Sequence, residues 1–119
     1  MTIQTKLIGF AVMASLLLTI PALSVADEAT DALWAKECAS CHGVDGKANT
    51  KIGKIQKVKD LTDPEVRAKF DRARMIESTK NGILKADGKT PWMKEYGTKL
   101  SEEQIAALVD HVINDLGPK

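Results

Sequence analysis

The 119-residue sequence lacks internal repeats, low-complexity tracts and segments that alternate apolar with polar residues. The first two absences argue against a repeat architecture, and the third favours a mostly helical fold over a β-sheet fold. An excess of basic residues is also missing, since 17 Lys and Arg face 16 Asp and Glu. This balance gives no support to nucleic-acid binding. The composition therefore predicts a small helical protein without a nucleic-acid partner.

A hydrophobic run long enough to span a membrane is absent as well. Lys6 precedes an apolar stretch over residues 7–20 of about 14 residues, whereas a span needs roughly 20. Pro21 follows, and Ser24-Val25-Ala26 puts small residues at the −3 and −1 positions of a cleavage site. This pattern predicts a cleaved signal peptide over residues 1–26 and one mature domain over residues 27–119. An uncleaved membrane anchor is the less favoured alternative.

Capping signals predict several helices in the mature domain. Asp63 and Pro64 are typical of an N-cap followed by the first helical position. Gly82 is suited to ending a helix, and Ser101 with Gln104 forms the sequence signature of a capping box. The predicted helices cover about residues 28–38, 64–70, 71–81 and 101–116, a Gly- and Lys-rich loop covers 43–59, and residues 83–100 are irregular.

Cysteine is scarce, and both copies occur in one motif. Cys38 and Cys41 lie one helical turn apart and are followed directly by His42. Both thiols can point to one side and add to the vinyl groups of the same porphyrin, while His42 turns its imidazole under the iron. The C-x-x-C-H spacing therefore predicts one covalent haem c, held by two thioethers. A covalently bound haem also adds a cross-link and a large apolar group to the core. A domain this short needs such an addition because it buries little surface of its own.

Other chemistries of two cysteines remain as alternatives. An oxidising compartment permits a disulfide between Cys38 and Cys41, or a thioredoxin-like redox pair. The redox pair usually starts a helix after a strand, whereas Cys38 ends a helical pattern. A zinc site needs two further ligands, and the only histidines are His42 and His111.

The sequence resembles the class I c-type cytochromes over nearly all of residues 28–117. Leu33-Trp34-Ala35-Lys36-Glu37-Cys38 is similar to the first helix of that family, with an aromatic residue four positions before the first cysteine. Pro91-Trp92-Met93, followed by Gly97, Lys99, Leu100 and Ser101, resembles the loop that carries the axial methionine. The resemblance implies an all-α, small cytochrome c fold of three to five helices wrapped around one haem.

Three positions depart from the pattern of the family. Thr30 stands where the family usually has glycine at the crossing of the first and last helices, and His111 replaces a usual aromatic residue. No proline occurs between His42 and Asp63, although the family commonly has one whose carbonyl fixes the proximal histidine. The hydrogen-bond partner that orients His42 is therefore unidentified.

Two methionines and one histidine are candidates for the sixth iron ligand. Met93 lies in the irregular loop between Pro91 and Gly97, eight residues before Ser101, as the axial methionine does in many family members. Met75 falls in a predicted helix and is interpreted as a core residue. His111 falls beside Leu108 and Val112 and is interpreted as a packing residue. We therefore predict His42 and Met93 as the iron ligands.

This ligand set predicts an electron carrier and not an enzyme, because no open iron position remains for a substrate. The alternatives are a ligand-binding or catalytic haem protein and a subunit of a larger oxidoreductase. The signal peptide implies a soluble periplasmic protein without stable membrane insertion, and we expect a monomer that contacts redox partners transiently.

Charge suggests how such partners are recruited. Residues 38–100 carry a net charge of +6 between acidic ends of −3 each. Lysines around an exposed haem edge would steer an acidic partner, although they are equally compatible with a solvated loop. The lysines in question are Lys47, Lys51, Lys54, Lys89 and Lys94.

Overall fold

The computed structural model describes residues 23–118, together with residues 9, 11 and 14–17. Lys6 and most of the predicted signal peptide lie outside the described residues. Within the described part, six helices and one two-stranded sheet follow one another along the chain. They are α1 Leu23–Glu37, α2 Ala39–His42, α3 Lys51–Gln56, α4 Pro64–Arg67, α5 Arg72–Asn81, β1 Ile83–Leu84, β2 Pro91–Met93 and α6 Glu102–Asn114.

The all-α fold class is confirmed, with six helices in the described residues where the sequence predicted three to five. Two of the six, α2 and α4, are single turns of four residues. The helix α3 occupies part of the predicted loop 43–59, and the β1–β2 hairpin occupies part of the irregular stretch. Phe70, expected at the end of the predicted helix 64–70, follows α4 instead.

Helix α1 begins at Leu23, upstream of the position predicted for its start. The predicted cleavage after Ala26 therefore falls within this helix, and it remains a prediction. No helix of the described residues is long and apolar enough to cross a membrane.

The core lies where α1 and α5 pack against α6. Ile105 and Leu108 on α6 are almost fully buried, and Trp34 of α1 is buried against them. The capping box is present, because the Ser101 hydroxyl accepts from the Gln104 backbone N–H at 3.1 Å and the Gln104 amide oxygen accepts from the Ser101 N–H at 2.9 Å. The helix α6, whose sequence has the most regular apolar spacing, is thus the helix against which α1 and α5 pack.

Side chains complete three further helix ends. Asp63 and Asp71 cap α4 and α5 through their carboxylates. At the C-terminal end of α6, the Arg67 guanidinium donates to the carbonyls of Val112 and Ile113 at 3.1 and 2.6 Å, and to Leu61 at 3.2 Å. A cation at a helix C-terminus is favourable because the last carbonyls are unpaired and carry partial negative charge.

Candidate cofactor site

A cavity of about 430 Å³ opens among α1, α5 and α6. This volume falls within the range of pockets that enclose a small organic ligand. Its wall is largely apolar and includes Trp34, Phe70 and Leu108. Four residues with chemistry of interest also line it: Cys38, His42, Met75 and Met93.

Cys38 joins α1 to α2, and the other four residues of the C-x-x-C-H motif form α2. Cys38 follows the end of α1, and the His42 N–H donates to the Cys38 carbonyl at 3.0 Å. Cys38 is buried and Cys41 half-buried, and both are separate thiols in the structure. Burial, followed by the nearby Glu37 and Cys41, raises the pKa of the Cys38 thiol to about 11. The motif thus places Cys38 and His42 in the wall of one cavity.

Trp34 of α1 contacts the C-terminal end of the motif. Its indole N–H donates to the Gly43 carbonyl at 3.0 Å, and its ring centroid lies 5.8 Å from that of His42. This buried hydrogen bond fixes the chain that leaves the motif relative to α1. The aromatic residue four positions before the first cysteine therefore packs against the motif.

The chain that follows the motif forms the helix α3 and packs back against the motif. This helix was not predicted from the sequence. Thr50 caps this helix by accepting from the Gly53 N–H at 2.9 Å, and its hydroxyl donates to the Cys41 carbonyl at 3.1 Å. A Cβ on Gly53 would lie 2.6 Å from the Cys41 carbonyl oxygen and 2.5 Å from that of Ala48. In the sequence, Thr50 three residues before Gly53 was the capping signal that could have predicted this short helix. We call residues 38–57 the attachment segment.

Met93 reaches the cavity from the end of β2. Ile83 and Met93 are partners in the antiparallel hairpin. Gly82 has a φ of 75°, and a Cβ there would lie 2.7 Å from the Met93 carbonyl oxygen. Glycine is therefore needed for the backbone of residues 93–95 to pass this close. We call residues 82–100 the methionine segment.

Met75 also lines the cavity, from within α5. It is half-buried and packs against the core, in agreement with its interpretation as a core residue. Proximity to the cavity thus leaves both methionines available, and the choice of Met93 as a ligand stays a prediction.

His111 lies outside the cavity wall. Its Nδ1 is 3.1 Å from a carboxylate oxygen of Asp115 and 3.3 Å from one of Asp31, and its ring centroid is 5.5 Å from that of Trp34. It packs between α1 and α6, as the sequence analysis expected.

The residues present fit a haem better than they fit a metal ion alone. A cavity with an apolar wall suits a porphyrin, and imidazole and thioether are ligands that haem iron takes. The described residues contain no group of three or more His, Cys, Asp or Glu side chains that could hold a metal ion.

Comparisons with known proteins decide the family. Residues 26–112 match the family described as "Cytochrome C oxidase, cbb3-type, subunit III". The chain belongs to this family of c-type cytochromes. No curated protein matches it.

Two solved structures extend this result. The KustC0563 c-type cytochrome is similar with a TM-score of 0.62 at 29% identity, covering 75% of this chain and 98% of that one. A tyrosine-to-phenylalanine mutant of Kustc0563 gives a TM-score of 0.59 at 30% identity, covering 73% and 96%. As a c-type cytochrome, the protein binds haem c covalently and is an electron carrier.

The side chain of His42 in this c-type cytochrome lacks, within the part of the chain that the structure describes, the hydrogen-bond acceptor that was expected to orient it. His42 Nδ1 is buried without a hydrogen-bond partner in the described residues. Burial lowers the pKa of His42, which favours the neutral imidazole that binds iron. The acceptor that sequence reasoning could not identify is therefore not supplied by the described residues either.

Proposed function

We propose that this c-type cytochrome is a periplasmic electron carrier, with haem attached through Cys38 and Cys41 and ligated by His42 and Met93. The observation that carries the proposal is the single cavity whose wall contains Cys38, His42 and Met93. When bound, the haem supplies a one-electron couple between Fe(III) and Fe(II).

The surrounding residues adapt the site to electron transfer. Trp34 fixes the chain next to His42, and most of the surface that lines the cavity is apolar. A thioether ligand favours Fe(II) and raises the reduction potential relative to a second imidazole. With His42 and Met93 both bound to iron, no position is left for a substrate, so we infer a carrier and not an enzyme.

Replacing each methionine separately tests the ligand assignment. Met93→Ala should abolish the weak far-red band of ferric haem that arises from sulfur-to-iron charge transfer. Met75→Ala is the matched control, and it should keep the band while losing about 2 kcal/mol of unfolding free energy, the low end of the range because Met75 is only half-buried. Optical spectra of both purified ferric proteins make the measurement. Persistence of the band in Met93→Ala would overturn the assignment.

Export and attachment are tested together by mass. The protein recovered from the periplasmic fraction should have, under denaturing conditions, the mass of the chain from Asp27 plus one haem. The support is the sequence of the predicted signal peptide and the C-x-x-C-H motif. A mature chain that carries a disulfide between Cys38 and Cys41 and no haem would contradict this part of the proposal.

We further propose that the partners are acidic proteins met in transient encounters. Lys47, Lys51 and Lys54 are exposed on the attachment segment, and Lys89 and Lys94 are exposed on the methionine segment. Both segments contribute to the cavity wall, so these charges lie on the parts of the chain that enclose the haem. Electrostatic steering of this kind acts mainly on the association rate.

Charge reversal separates steering from simple solvation. Lys51→Glu, Lys54→Glu and Lys94→Glu together should slow electron transfer with the physiological partner and flatten its dependence on salt. Lys59→Glu is the control, because Lys59 is exposed but lies outside both segments. Stopped-flow rates over a salt series make the measurement. Equal rates and salt slopes in the triple variant and the control would leave solvation as the role of these lysines.

A second candidate function is a subunit of a cytochrome c oxidase, which the description of the matched family favours. Size-exclusion chromatography of a mildly extracted sample distinguishes the two. A monomeric haem-containing peak supports the carrier, and co-elution with a larger oxidoreductase supports the subunit.

A further inference from the structure

Two side chains of the methionine segment contact Glu37, the last residue of α1. The Tyr96 hydroxyl donates to the Glu37 backbone carbonyl at 2.9 Å, and the Lys99 ammonium lies 2.7 Å from the Glu37 carboxylate. Glu37 comes directly before Cys38. Two side chains from the methionine segment therefore grip the residue at which the attachment segment begins.

The ion pair in this contact is unusually enclosed. The Glu37 side chain is only 7% exposed, while that of Lys99 is 60% exposed. Because the Glu37 side chain is mostly withdrawn from solvent, its carboxylate needs a cationic partner, and Lys99 supplies one at 2.7 Å, with Lys36 farther away at 3.9 Å. Tyr96 is half-buried against the core. We call Glu37, Tyr96 and Lys99 the Glu37 latch.

The other side of the methionine segment is held by backbone hydrogen bonds. The N–H groups of Tyr96 and Gly97 donate to the Thr79 and Lys80 carbonyls of α5 at 3.0 and 2.9 Å. A Cβ at Gly97 would lie 2.9 Å from the Lys80 carbonyl oxygen, so this approach is close. The chain just after Met93 is thus fixed between α5 and the Glu37 latch.

We propose that Glu37 and Tyr96 are positioning residues that hold Met93 at the cavity and so close the sixth iron position to external ligands. This inference rests on the proposed function, because it requires Met93 to be the sixth ligand. When the contacts of the latch are weakened, the methionine segment moves away from the cavity more often and takes Met93 with it. The carrier then acquires the behaviour of a ligand-binding haem protein.

Imidazole binding to the ferric holoprotein measures how often the segment opens. Tyr96→Phe keeps the ring and removes one hydrogen bond, so the observed binding rate should rise about threefold to tenfold. Glu37→Gln keeps the size of the side chain but loses the ion pair, and it should bind imidazole faster still. The far-red sulfur band should be present in both variants before imidazole is added.

Two controls make the result specific. Arg72→Ala breaks the exposed ion pair with Asp110 between α5 and α6, and it should bind imidazole at the wild-type rate. In a Met93→Ala background, Tyr96→Phe should have no further effect, because the ligand that the latch positions is gone. A purely structural role of Tyr96 would give the same change in both backgrounds.

Each outcome has one meaning. Faster binding in Tyr96→Phe that disappears in the Met93→Ala background supports the latch. Wild-type rates in Tyr96→Phe overturn the latch, and this holds even if Glu37→Gln does not yield folded protein. Survival of the sulfur band in Met93→Ala overturns the ligand assignment itself, which is a separate result.

Discussion

The attachment segment and the methionine segment line one cavity but are held in place by different means. The attachment segment has buried small residues, among them Ala39, Ala48 and Gly53, and its backbone is tied by Trp34 and Thr50. In the methionine segment, all of which the structure describes, only Leu100 is buried. One wall of the site is therefore part of the core, and the other is a surface segment fastened at a few points. On the proposed ligation by His42 and Met93, this difference would leave His42 fixed and let Met93 exchange.

The tryptophans give the largest expected contrast between the two segments. Trp34 is 4% exposed and Trp92 is 47% exposed. Trp34→Ala should lower the free energy of unfolding by about 3–5 kcal/mol. Trp92→Ala loses partial burial and a contact with Lys85, whose ammonium lies 4.6 Å from the ring centroid, so its loss should be at most about 1 kcal/mol. Denaturant unfolding of both holoproteins makes the comparison, and equal losses would remove the distinction.

Gly53 tests how tightly the attachment segment is packed. Alanine is favoured over glycine in a helix by about 1 kcal/mol. Overpacking costs about 1–3 kcal/mol, and the upper end applies here because the Cβ would meet two backbone oxygens. Gly53→Ala should therefore destabilise the protein by about 2 kcal/mol net. Gly88→Ala is the control: its surroundings are open, so it reports only the strain of an alanine at a φ of 66°. A stabilised Gly53→Ala protein would show that the segment can relax.

Thr50 tests the hydrogen bonds of the same segment. Thr50→Ala removes the cap of α3 and the donor to the Cys41 carbonyl, and it should lose about 1 kcal/mol of unfolding free energy. Thr50→Ser retains the hydroxyl and should recover most of the loss. If serine fails to do so, the methyl group and not the hydroxyl is important. Thermal or denaturant midpoints of the three proteins give the answer.

The smallest effect is expected from the exposed pair Arg72–Asp110, which ties α5 to α6. The hydrogen bond from Arg72 lowers the pKa of Asp110 below its usual value. The contribution of Asp110 is therefore fully present above the unfolded pKa of about 4, and it is lost as the pH falls through the folded pKa. The small difference in urea midpoint between wild type and Arg72→Ala should accordingly disappear in acid and shrink in salt. A difference that is independent of pH would point to lost packing instead.

Prediction from sequence worked best where one local interaction decides the structure. Ser101 with Gln104, Asp63 with Pro64, and Gly82 each marked a helix end that the structure has. The haem motif predicted the cofactor because its chemistry needs only residues close together in sequence. The family resemblance added the all-α fold, which is confirmed.

The missed elements are short and depend on tertiary contacts. The helix α3 has six residues, and its two isoleucines, Ile52 and Ile55, are too few to establish a helical period although they lie three positions apart. Both are exposed, so no apolar face of this helix is packed into the core. The strands β1 and β2 have two and three residues, too few for an alternation to appear. The Asp87-Gly88 pair was the available turn signal. The contacts between Glu37 and Tyr96 join residues far apart in sequence, and no local pattern indicates them.

The hydrogen bonds from Arg67 to the C-terminal end of α6 affect how this helix unfolds locally. The guanidinium joins the carbonyl of Leu61 to carbonyls of Val112 and Ile113. Because the last turn of α6 is completed by a residue far earlier in the chain, it cannot fray independently of that residue. The backbone amides of Asp115 and Leu116, which donate to the His111 carbonyl, should therefore exchange with solvent only when the region around Arg67 also detaches. The final helix thus opens as part of a larger cooperative unit instead of unwinding from its end.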